Sequence, residues 1–88
     1  MTFKLEVGGH CANGAKVIAL FCNESEGVVL ATWKEEFITW GFNANQQDST
    51  ANGNYFMYNS DSWRDALARA YIDMTDRIKQ IAKRANND

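Results

Sequence analysis

The stretch SWRDALARAYIDMTDRIKQIAKRA, residues 62–85, decides how this chain is built. Trp63, Leu67, Ala70, Tyr71, Met74, Ile78, Ile81, Ala82 and Ala85 recur at three- and four-residue intervals, which places them on one stripe of a helix about 36 Å long. Arg64, Asp65, Arg69, Asp73, Asp76, Arg77, Gln80 and Lys83 take the opposite face, with Asp65/Arg69 and Asp73/Arg77 in the favourable acid-first i,i+4 order. Ser62 is the expected N-cap, and Lys83 and Arg84 suit the negative C-terminal end. An apolar stripe of this length must be covered, and the residues before it read as a sheet.

Residues 2–7 alternate Phe3, Leu5 and Val7 with Lys4 and Glu6, the period of a half-buried strand. Asn13-Gly14 is the strongest short hairpin signal, because a type I′ turn needs positive φ at both central residues. That turn sets Ala12 opposite Ala15, Val7 opposite Leu20 and Leu5 opposite Cys22, with Gly8-Gly9 interrupting the strand as a bulge or close approach. Residues 15–22, 28–33, 37–43 and 55–58 read as further strands, separated by the polar loop 23–27, the charged break Lys34-Glu35-Glu36 and the polar stretch 43–54. The expected fold is α+β: an antiparallel meander of four to five strands (residues 1–58) with one long C-terminal amphipathic helix (62–85) on one face.

Eighty-eight residues make one domain with a modest core, since a chain of this size buries only about 60–65% of its unfolded surface. Apolar residues at 45% and charged residues at 23% are ordinary globular values and indicate neither disorder nor a coiled coil. No apolar run approaches the roughly 20 residues of a membrane helix, and residues 1–20 lack the basic-then-apolar pattern of a signal peptide. The expected location is the host-cell cytosol. Residues 1–61 carry three lysines against seven carboxylates, whereas residues 62–88 carry six basic residues against four. A net charge of −2 argues against strong duplex-DNA binding, which needs a clustered basic face.

Parity exposes an excess of apolar surface. Ile18, Leu20 and Cys22 lie on one face of the second strand and Val17, Ala19 and Phe21 on the other, while Val28 and Leu30 oppose Val29, Ala31 and Trp33 on the third. One helix covers only one face, and antiparallel sheets with a solvated face alternate cleanly. The second face is therefore hidden by the 44–54 loop and sheet twist, by a second copy, or by a partner. Trp33 and Val29 are assigned to that face as partner-binding residues, together with Tyr55, because large exposed apolar patches mark interaction sites. Two acidic pairs, Glu24/Glu26 and Glu35/Glu36, are placed at its rim.

Chemistry finds little to work with. His10 and Cys11 are adjacent and so point to opposite faces of a strand, and no second histidine stands in as a base. One histidine and two cysteines do not make a zinc site, and no cofactor motif is present. The Asn13-Gly14 hairpin holds Cys11 and Cys22 about 20 Å apart, which leaves both thiols free and fits a reducing compartment. The sequence therefore points to a binder that is not an enzyme. A reading from another class is single-stranded nucleic acid stacked on exposed sheet aromatics, although the sheet residues are net acidic.

The run Phe37-Ile38-Thr39-Trp40, then Gly53-Asn54-Tyr55-Phe56, then Ala66-Leu67-Ala68-Arg69-Ala70-Tyr71 gives a strand, strand, helix pattern. In this C-terminal half the chain resembles the small orphan proteins of phages and mobile elements, anti-CRISPR inhibitors among them. The resemblance implies a stoichiometric inhibitor, often a homodimer, that binds a host or defence complex, including ribonucleoprotein effectors, and blocks a substrate site or a conformational step.

Overall fold

A computed structural model describes residues 4–48 and 53–86. Four strands, β1 (Lys16–Cys22), β2 (Glu26–Trp33), β3 (Glu36–Asn43) and β4 (Asn54–Met57), form an open antiparallel sheet in the order β1-β2-β3-β4. The helix α1 (Trp63–Asn86) lies across one face. This is the α+β meander with a C-terminal helix that the sequence predicts.

Short-range chemistry makes the turns. Asn23 Oδ1 accepts hydrogen bonds from the amides of Ser25 and Glu26, and closes the β1–β2 connection. Lys34 and Glu35 alone connect β2 to β3, with Lys34 at a φ of 55°. Asn59 Oδ1 accepts from Asp61 and Ser62 and folds the chain into α1. Ser62 Oγ accepts the Asn59 amide, so it braces this turn from outside the helix.

The buried stripe of α1 is narrower than the periodicity suggests: Ala66, Ala70, Met74 and Ile81 are buried, with Leu67 and Ile78 packed beside them. Two alanines at the centre of the contact let the helix lie close to the sheet, and this turns Trp63, Tyr71, Ala82 and Ala85 toward solvent. The same rotation brings Asp73 and Arg77, expected on the solvent face, to the edge of the contact. Both i,i+4 ion pairs form, each at 3.0 Å.

The first hairpin departs from expectation. Asn13 keeps a negative φ, and its Oδ1 accepts the Ala15 amide, so the turn closes from Cys11 O to Gly14 N with Gly14 at φ 94°. Cys11 consequently faces Ala15 and His10 faces Lys16, one residue away from the predicted register. Residues 4–7 form no strand: after the Gly8–Val17 and Gly9–Val17 bonds the chain leaves the ladder. It folds back over the sheet face away from the helix, where the Leu5 amide reaches Gln47 Oε1 at 2.8 Å. Residues 2 and 3 of the expected strand lie outside the described residues.

A second departure sits in β1, where the register slips between Val17 and Ala19. The bulge puts Ile18 on the helix side with Ala19 and Phe21, and leaves Val17 and Leu20 on the other. Two apolar layers result. One joins Val28, Leu30 and Phe37 to α1; the other joins Val17, Val29, Ala31, Ile38 and Trp40 to Leu5, Cys11 and Ala15 of the N-terminal segment. The second face of the sheet is thus covered chiefly by the chain's own N-terminal segment, with Gln47 of the 44–54 loop as its clasp.

Gly27 is needed where β1, β2 and β3 meet. A Cβ there would stand 2.4 Å from the Phe42 ring and 2.5 Å from the Phe21 carbonyl oxygen. Gly27→Ala is expected to lower the unfolding free energy by about 2–3 kcal/mol, measured by urea titration, because the backbone oxygen has nowhere to move.

Candidate partner-binding face

Strand register assembles the exposed part of the non-helical face. Trp33 pairs with Glu36 and Glu36 with Met57, while Ala31 pairs with Ile38 and Ile38 with Tyr55. Ala31 and Ile38 belong to the buried layer under the N-terminal segment, so Trp33, Glu36, Met57 and Tyr55 share that layer's face at its uncovered margin. Trp33 is 41%, Tyr55 59% and Met57 79% exposed.

Neighbouring residues brace Trp33 and the turn that follows it. Tyr58 donates its hydroxyl to the Lys34 carbonyl at 3.1 Å and stacks on Phe37 with ring centroids 4.7 Å apart, which anchors the β2–β3 turn from the helix side. The Trp33 ring borders Gly14 of the first turn, and Lys34 Nζ sits 5.6 Å from its centroid. Trp33, Lys34, Glu35, Glu36 and Met57 line an open groove of about 440 Å³, with an apolar floor and a carboxylate wall.

The strand beside this patch is unpaired on its outer side. The Tyr58 amide donates to Glu35 O at 2.9 Å in the register that also pairs Phe37 with Phe56 and Thr39 with Asn54. In an antiparallel ladder these are the hydrogen-bonded pairs, and the residues between them, Tyr55 and Met57, turn their N–H and C=O outward. Among the described residues nothing pairs with that edge.

The expected site residues separate into two groups. Trp33, Glu35 and Glu36 come together in the groove, and Tyr55 lies on the same face one row away, opposite Ile38. Glu24 and Glu26 lie at the opposite end of β2, about 23 Å away, and Glu26 is held by Arg84 at 2.6 Å. Val29 is a correction: at 0% exposure beneath the N-terminal segment it is core, because the chain itself covers its face. Met57 was missed, although alternation along β4 puts it beside Tyr55.

Burial separates the two residues that invite thiol chemistry. Cys11 is 5% exposed, and burial pushes its thiol up to about 11, which keeps it protonated, while His10 is exposed. Cys22 is an exposed free thiol whose Sγ contacts the Asn23 carbonyl. At pH 8 the native chain is expected to react rapidly with one equivalent of a thiol reagent, at Cys22, and to release the second thiol only on denaturation. Among the described residues no three His, Cys, Asp or Glu side chains converge, and no helix is long and apolar enough to cross a membrane.

A polar network joins the helix to the sheet that carries the face. Thr39 is fully buried, and its hydroxyl donates to Asp73 Oδ2. Arg77 Nε donates to the same oxygen and Asn54 Nδ2 to the other, each at 3.0 Å. Burial alone raises the Asp73 carboxyl, but the bonds from Thr39, Arg77 and Asn54, with the Arg77 charge, outweigh it and hold the group below the usual carboxylate range.

The fold and face define an α+β protein with an open four-stranded sheet, the β4 edge unpaired among the described residues and an aromatic patch beside it. Compared with protein-family models, curated proteins and solved structures, the chain matches none.

Proposed function

We propose that this chain is a non-catalytic binding protein that docks a protein partner on the Trp33–Tyr55–Met57 face. The observation that carries this is the placement of three large exposed apolar side chains in adjacent rows, next to a strand edge that no described residue pairs, on a two-layer scaffold. Exposed apolar patches rimmed by polar groups mark interaction sites, and Trp and Tyr dominate binding energy in such patches. Glu35 and Glu36 in the groove wall select a partner surface with an apolar centre and basic flanks. The same carboxylates disfavour a phosphate backbone running over the two aromatic rings.

The target class to test first is a host defence complex, such as a CRISPR–Cas effector, whose substrate site or conformational step the bound chain would block. That choice rests on the resemblance of residues 37–71 to mobile-element inhibitors. The test is capture from nuclease-treated bacterial lysate by the wild-type chain and by Trp33→Ala, followed by affinity measurements with the captured protein from low to high salt. A discrete protein that depends on Trp33 and binds with little change across the salt range supports the reading. Capture lost to nuclease, or an affinity that collapses with salt, would replace it with nucleic-acid binding.

A further inference from the structure

We infer that two copies of this chain pair along β4, joining their sheets across a two-fold axis at Phe56. The inference rests on the docking face just described and adds what completes it. Tyr55 and Met57 each present an outward N–H and C=O, and Asn54–Met57 contains no charge, proline or bulge to protect the edge. The other edge of the sheet is managed: β1 carries its bulge at Ile18 and pairs at its start with residues 8–11.

A second copy fits this edge because the edge is its own complement. Antiparallel pairing centred on Phe56 sets Tyr55 of one copy against Met57 of the other, and the reverse, which satisfies all eight outward groups in four hydrogen bonds. On the helix side, Asp65 and Arg69 line the same strand, opposite in charge and one turn apart, an arrangement that a two-fold turns into its own counterpart. On the other side the four side chains of Tyr55 and Met57 from both copies form one cluster, and the two Trp33 rings stand about 24 Å apart across six strands. One chain offers half of the apolar face; the pair offers it whole, with a carboxylate-walled groove toward each end.

The Met57 amide points away from β3, so Met57→Pro removes an outward donor without breaking the β3–β4 ladder. Sedimentation over a concentration series is expected to show the wild type passing from 9.9 kDa to twice that mass. Met57→Pro is expected to raise the dimer dissociation constant about 100-fold, the loss of two hydrogen bonds, with an unchanged circular dichroism spectrum. Tyr55→Lys, which places a charge on the edge and keeps every backbone group, is expected to weaken the dimer in the same direction. A wild type that stays at 9.9 kDa throughout, or a dimer that survives both substitutions, overturns the inference. Trp33→Ala leaves the edge intact and is expected to dimerise as the wild type does. Loss of partner capture in that variant therefore reports on docking alone, and docking by a monomeric wild type would sink the pairing while sparing the docking reading.

Discussion

Replacing Trp33 with alanine is expected to weaken binding of the protein partner by about 10- to 100-fold, while circular dichroism and the folded baseline of thermal unfolding stay close to wild type. The magnitude follows from the side chain's position. Trp33 is half-exposed in the groove lining, seated against Gly14 and under Lys34, contacts that restrict its rotamers before any partner arrives. Little conformational entropy remains to be lost on binding, and a pre-ordered aromatic anchor of this kind is worth about 1.5–3 kcal/mol. Isothermal titration of the purified partner against both chains measures the change. Equal affinities would remove Trp33 from the interface.

Replacing Asp73 with alanine is expected to lower the unfolding free energy by about 2–3 kcal/mol, read from urea titrations at neutral pH. The loss is concentrated at Thr39, whose hydroxyl lies in the helix–sheet interface at 0% exposure and would have no acceptor, with the Asn54 and Arg77 bonds lost as well. The pH dependence has a definite sign. The folded carboxyl titrates below its unfolded value, so its contribution is complete above about pH 4 and is lost as the pH falls through the folded value. Wild-type stability is therefore expected to fall more steeply on acidification below about pH 4 than that of Asp73→Asn. Matching slopes would mean that the network does not hold the helix on the sheet.

Periodicity carried α1 and the central strands into view because both signals are long: a helical stripe over 24 residues, and two eight-residue strands rich in aromatic and β-branched side chains. The N-terminal segment was misread for a physical reason. A strand paired in a sheet and a segment laid over an apolar face both need spaced apolar residues, and Leu5 serves the second purpose while Val7 stays exposed. The bulge at Ile18 was invisible because β1 is apolar on both faces, so no polar residue marks the point where parity slips. Val29 and Trp33 share a face and differ in what covers them, which strand parity alone does not encode. Asp73 carried a signal of its own: Thr39 in the middle of an apolar strand requires a partner from the element that covers it.

Hydroxyl-radical footprinting of the complex between this chain and its captured protein tests the central claim most directly. The account predicts that Trp33, Tyr55 and Met57 lose reactivity on binding, while the exposed helix residues Trp63, Tyr71 and Ile72 keep theirs. Protection of the helix residues, with Trp33 and Met57 unchanged, would contradict it and move the working surface to the outer side of α1.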